Sequence, residues 1–180
     1  MHYFRLFFFI STLSFALFIS CNTETPSSSN QTEQESVDNE VQTPTLISYS
    51  IVDTFTQDIS AFTEGLQFYQ GLLYEGTGQE GKTAIQVTDP SSGKIIDRYK
   101  NYNSDVFGEG ITIHNERLYQ LTYHNKLAYV FELPNLNKAI KTIDWPKEGW
   151  GCTTNGEHII ISDGSSHIYF ADAENLHIKR

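Results

Sequence analysis

The sequence is poor in cysteine, in basic residues and in long apolar runs, and each shortage excludes something. Cysteine occurs only at Cys21 and Cys152, which rules out a disulfide framework. The six histidines, His2, His114, His124, His158, His167 and His177, show none of the spacings of a zinc site. Lysine and arginine number 12 against 22 acids, for a formal charge of −10, and form no basic stripe. That argues against a nucleic-acid partner. The one extended apolar run, Leu6 to Ile19, is shorter than the ~20 residues a spanning helix needs.

That run belongs to a targeting segment over residues 1–20, with Arg5 as its single cation. It ends Phe18-Ile19-Ser20-Cys21, which resembles a bacterial lipobox, so the expectation is a lipoprotein carried in the cell envelope, periplasmic or outer-membrane, by lipid on Cys21. The alternatives are an ordinary signal peptide with a chance cysteine and an uncleaved anchor. Residues 21–45 hold five acids, no base and much Ser, Thr, Gln and Asn. Such a stretch buries too little apolar surface to fold and reads as a disordered tether. The globular domain is expected over 46–180, where 17 acids face 11 bases.

What the chain does have is a repeat. Phe62-Thr63-Glu64-Gly65, Phe107-Gly108-Glu109-Gly110 and Glu148-Gly149-Trp150-Gly151 follow one another at 45 and 41 positions, counted from Glu64 to Glu109 to Trp150. Each opens a run of alternating apolar residues. A period of ~40–45 residues with four short strands per unit is the signature of a propeller blade.

Taken in order, Ile47–Phe55 alternates and reads as a strand preceding the first repeat. The first unit then offers strands at Leu66–Tyr69, Leu72–Glu75, Ala84–Thr88 and Lys94–Tyr99, with turns at Gln70-Gly71 and Asp89-Pro90-Ser91-Ser92-Gly93. The second offers Ile111–His114, Leu118–Thr122, Leu127–Glu132 and Ala139–Ile143. The third offers Cys152–Thr154, His158–Ser162, His167–Ala171 and a start at Leu176. No helix is expected after the targeting segment. The fold class is all-β: about three propeller blades, with the third broken off near Arg180. A β-sandwich is the alternative, but it leaves the in-phase motifs unexplained.

In a propeller the innermost strand of each blade lines the central channel. Glu64, Glu109 and Trp150, at equivalent places, should therefore converge, with Thr77, Thr122-Tyr123 and Asp163 in register beside them. Neighbouring carboxyls between aromatic walls raise one another's pKa, as a proton-transfer group working near neutrality requires. Simpler readings stand beside this. Glu-Gly suits a turn, Trp150 suits a core, Tyr123 suits a strand, Ser162-Asp163-Gly164 suits a hairpin turn, and Cys152 suits a small apolar strand position.

Together with Leu73-Tyr74-Glu75-Gly76-Thr77-Gly78, Gln120-Leu121-Thr122-Tyr123 and Ile161-Ser162-Asp163-Gly164, the three repeats resemble the plant and bacterial type of glutaminyl-peptide cyclotransferase. The resemblance covers about Phe62 to Arg180. It implies a five-bladed β-propeller that converts N-terminal glutamine of peptides to pyroglutamate with release of ammonia. It places the catalytic acid at Glu109 and substrate-binding residues at Phe62, Glu64, Tyr123 and Trp150. It implies no metal and no cofactor, and peptides or proteins with N-terminal Gln as partners; a monomer is the separate expectation. Tyr123 stands where the family often has Trp, Glu64 where it often has Gln, and Gln57 where it has the His of a His-Asp pair. A further Trp and a Lys of the family's pocket fall in later blades, beyond Arg180. Two other functions are compatible with these residues: a non-catalytic propeller binding peptide or carbohydrate, and a scaffold lipoprotein.

Overall fold

The computed structural model describes residues 45–100 and 103–180. The targeting segment, Cys21 and nearly all of the tether lie outside the described residues. The chain divides into two units, one reaching to Ser48 and one spanning Tyr49–Arg180, and all the sheets belong to the second.

Eleven strands form three antiparallel meanders. The first sheet contains β1 (Thr63–Tyr69), β2 (Leu72–Thr77), β3 (Ala84–Asp89) and β4 (Lys94–Lys100). The second contains β5 (Gly108–His114), β6 (Arg117–Thr122), β7 (Leu127–Glu132) and β8 (Lys141–Asp144). The third contains β9 (Cys152–Thr154), β10 (Ile159–Ser162) and β11 (Ile168–Ala171). Beside β11 the chain starts a fourth strand: Ile178 bridges to Ala171, and Phe170 exchanges backbone hydrogen bonds of 2.9 and 2.8 Å with Arg180 and Lys179. Among the described residues there is no helix. The architecture is that of a partial β-propeller, with each repeat as one blade.

The alternation expected to make Ile47–Phe55 a strand does not do so. Residues 46–57 carry no strand, and Leu46, Ile47, Tyr49, Ile51 and Val52 are exposed. A strand exists only through its ladder partner, and no described edge pairs with this segment. Gln57, at its end, does have a task. Its amide donates to Glu75 Oε1 at 2.7 Å and to Thr63 Oγ1 at 2.6 Å, and Thr63 and Gln86 also donate to the Glu75 carboxylate. This network satisfies a buried acid and pins the start of β1.

Period-two alternation in the second sheet builds two separate cores. Leu118 and Phe131 face the first sheet and pack with Ile111, Ile113, Tyr74, Ile85 and Val87. Tyr119, Leu121, Ala128 and Val130 face the third and pack with Trp145, Ile159 and Ile161. Because both faces are covered, β6 is buried from Leu118 to Thr122. Each large aliphatic side chain so buried contributes roughly 1.5–3 kcal/mol. Polar ties join the sheets too: Ile113 N donates to Gln67 Oε1 at 2.7 Å, and His114 Nδ1 lies 2.9 Å from Thr154 Oγ1.

The glycine that follows each acid has a steric cause. Strands β1, β5 and β9 lie side by side, and a Cβ on Gly65 would come 2.5 Å from Ile111 N. One on Gly110 would come 2.5 Å from the Trp150 carbonyl oxygen, which accepts a hydrogen bond from Gly110 N at 2.8 Å. Only glycine lets the innermost strands approach this closely.

Candidate active site

Glu64 and Glu109 lie inside their strands, ahead of Leu66 and Ile111 where the alternation begins. Each sits at a β-bulge, between Thr63 and Gly65 in β1 and between Gly108 and Ile111 in β5. An extra residue at a bulge leaves the ladder and re-aims its side chain. The bulged acids therefore point away from the cores and toward each other, across the seam between the first two sheets.

The backbone on both sides of Glu109 is held by the flanking blades. Gly108 N donates to Thr83 Oγ1 at 2.9 Å, and Thr83 in turn donates to the Val106 carbonyl at 2.8 Å. On the other side is the bond from Gly110 N to Trp150 O. A carboxyl placed in this way cannot drift without breaking contacts with two neighbours.

The two acids share a hydrogen bond. Burial is the main cause that pushes the Glu109 carboxyl up to about 7, helped by the charge of Glu64, the shared hydrogen bond and the charge of Glu148. Burial also raises Glu64, but the bond from Glu109 acts on it in the opposite direction. That hydrogen bond therefore favours the protonated form of Glu109 and the ionised form of Glu64.

Both carboxyls open into a cleft of about 470 Å³ lined by Phe62, Phe107, Tyr123, Glu80, Asp105, His124 and Asn125. Its aromatic residues form an edge-to-face series. Phe62 and Phe107 are 6.2 Å apart at 84°, Phe107 and Tyr123 6.1 Å at 62°, and Tyr123 and Trp150 6.4 Å at 63°. Such geometry is the favoured one for aromatic pairs. Of the residues singled out by the sequence, Phe62, Glu64, Glu109 and Tyr123 line the cleft directly. Trp150 stands next to Tyr123 at the end of the series and is 43% exposed.

Other residues expected at the mouth serve the sheets. Thr77 Oγ1 accepts from Ala84 N at 3.0 Å, and Thr122 Oγ1 accepts from Leu127 N at 3.0 Å, so both hydroxyls close the ends of their own hairpins. Asp163 accepts from Ser165 and Tyr169 in the β10–β11 turn, and the Ser165 hydroxyl is the main cause holding its carboxyl down at about 2. Its motif has an indirect use, since Gly164 leaves room for the Trp150 ring: a Cβ there would lie 2.5 Å from Cζ2. Burial pushes the Cys152 thiol up, which removes it as a nucleophile.

Two neighbours were not foreseen. Glu148 Oε2 accepts from Trp150 Nε1 at 3.1 Å, and its Oε1 lies 3.3 Å from His124 Nδ1. Glu148 was in plain view within the third motif, but nothing in the sequence pairs it with His124. Among the described residues no group of three or more His, Cys, Asp or Glu is arranged to hold a metal ion.

The profile of the glutamine cyclotransferase family matches residues 18–180. This chain belongs to that family. Over 130 residues it is 34% identical to the glutaminyl-peptide cyclotransferase of Arabidopsis thaliana, a match covering 71% of this chain and 40% of the plant protein. Its fold is similar to the crystal structure of Myxococcus xanthus glutaminyl cyclase, with a TM-score of 0.65 and 26% identity over 73% of this chain and 54% of that one. Kuenenia stuttgartiensis hydrazine synthase, at 13% identity and a TM-score of 0.53 over 73% of this chain and 38% of that one, shares the fold alone. The chain thus spans about two fifths to a half of the length of these glutaminyl cyclases.

Proposed function

We propose that the whole protein is a glutaminyl-peptide cyclotransferase acting on peptides and proteins with N-terminal glutamine, with Glu109 as the proton shuttle. The observation that carries this reading is the hydrogen-bonded Glu64–Glu109 pair, with Glu109 poised near neutrality at the foot of an aromatic wall. The family and the names of the two glutaminyl cyclase relatives support it.

The reaction needs what this arrangement supplies. The α-amine nitrogen of the substrate bonds to its own γ-carbonyl carbon and gives up a proton, which Glu109 accepts. The same carboxyl then returns that proton to the amide nitrogen as its bond to carbon breaks and ammonia leaves. Glu109 ends as it began, and one proton has moved between two nitrogens. A group with a pKa near the working pH does this best, because both of its forms are populated. The aromatic residues hold the glutamine side chain folded toward its own amine and exclude water, which lowers the entropic part of the barrier. Four acids and no lysine or arginine line the cleft, a setting that draws in the positively charged N-terminus of a peptide, which loses its extra proton to solvent before the free amine attacks.

The test is ammonia release, with mass-spectrometric detection of pyroglutamate, on incubating the full-length protein with a Gln-initiated peptide and with the same peptide begun by alanine. Release from the first alone is expected; release from neither would overturn the reading. For its setting, we propose that the protein is a monomeric envelope lipoprotein held by acyl chains on Cys21. A fatty-acid analogue should label the wild type and leave Cys21→Ser unlabelled.

A further inference from the structure

Trp150 has little to hold it by packing alone. It is 43% exposed, at the end of the aromatic series, with one face against the backbone of Gly164. Its indole donates from Nε1 to Glu148 Oε2 at 3.1 Å. Glu148 is well placed to orient the indole, because its own backbone is fixed. Its carbonyl accepts from Nε1 of the fully buried Trp145 at 3.0 Å, and the following Gly149 N donates to Thr122 O at 3.0 Å. The second carboxylate oxygen lies 3.3 Å from His124 Nδ1, and the His124 ring lies 3.6 Å from that of Tyr123, tilted by 31°.

We propose that Glu148 is a positioning residue of this site, whose carboxylate orients the Trp150 indole through one oxygen and His124 against Tyr123 through the other. One rigidly mounted acid thereby fixes two members of the aromatic wall. The inference rests on the reading of the cleft given above. It also gives Glu148 a second route to the reaction, through its charge on Glu109. The other ionisable groups around Glu109 are Glu64 from β1, Glu80 from the β2–β3 loop, Asp105 ahead of β5, and Tyr123 and His124 after β6. Lys147 is adjacent in sequence but turns away, 3.7 Å from Asp163 and 4.6 Å from the centre of the Tyr169 ring.

Two substitutions in the full-length protein separate orientation from charge. Glu148→Gln keeps an oxygen that accepts from the indole and removes the charge; Glu148→Ala removes both. With Glu148→Ala, KM for a Gln-initiated peptide should rise about tenfold, the scale of one lost hydrogen bond to a charged group. Glu148→Gln should restore KM to within about threefold of wild type on the same reasoning. In both variants the acid limb of the kcat/KM profile should move to lower pH, because a negative charge beside Glu109 has gone. A scaffold role alone would lower thermal stability and leave KM and the pH limb unchanged, and that result would overturn the proposal. An independent readout is the indole N–H resonance of Trp150, assigned with Trp150→Phe. It should move upfield in Glu148→Ala as the carboxylate acceptor is lost, and an unmoved resonance would refute the proposal even if no Gln-initiated peptide were turned over.

Discussion

The Glu64 and Glu109 carboxyls meet across the seam of two blades, and the hydrogen bond between them favours the protonated form of Glu109 and the ionised form of Glu64. Each owes its direction to a bulge in its own strand. The first prediction follows from the pairing. Glu64→Gln removes the charge that opposes ionisation of Glu109, while the burial that is the main cause of the raised pKa remains. The acid limb of kcat/KM should shift to lower pH, without falling all the way to an ordinary carboxyl's range. An unshifted limb, measured across pH 4 to 9, would mean that the two acids do not interact during turnover.

The same pairing predicts a cost in stability. Glu109 is raised from 4.5 to about 7, so the folded state binds its proton more tightly than the unfolded chain does. Its contribution is therefore fully present below pH 4.5 and lost as pH rises through 7. Glu109→Gln, which cannot ionise, should be more stable than wild type at pH 8, by about 1–2 kcal/mol after discounting for solvent screening, and nearly equal to it at pH 4. The difference between the two proteins is the quantity to follow by urea unfolding. Asp58, Asp89, Asp163 and Asp172, whose pKa values are lowered, add the opposite slope at lower pH in both.

Gly110→Ala should be among the most damaging single-methyl changes in the domain. The added carbon would lie 2.5 Å from the Trp150 carbonyl oxygen and 2.9 Å from Cys152 N, both of them backbone atoms that cannot swing aside. Overpacking of this kind costs about 1–3 kcal/mol. It should also displace Trp150, whose carbonyl is bound to Gly110 N. Thermal unfolding and KM would both report it, and a variant with wild-type values would show that β5 and β9 are not so closely apposed.

Much of this was legible in the sequence because the repeat is local. Glu64, Glu109 and Trp150 announce their equivalence by spacing, and alternation located all eleven strands to within a few residues. What alternation missed was the beginning of β1 and β5. A bulge breaks the period at the acid, so regular alternation begins only beyond it, at Leu66 and Ile111. Alternation also overreached at Ile47–Phe55, where strand-like residues have no described strand to pair with. Thr77 and Thr122 were correctly placed in register but misread in purpose, since register fixes where a residue sits and not which way its hydroxyl turns. The contact from Glu148 to His124 arises only when the second and third blades meet, and no spacing along the chain encodes that meeting.

The central claim is that Glu109 moves the proton, and the direct test is Glu109→Gln in the full-length protein, assayed by ammonia release from a Gln-initiated peptide. The substitution preserves size and most hydrogen bonding but removes the exchangeable acid. General acid–base assistance is worth ~10²–10⁴-fold, so kcat should fall by at least about a hundredfold while KM stays within a few-fold. Turnover by Glu109→Gln within a few-fold of wild type would contradict the account and move the shuttle to Glu64.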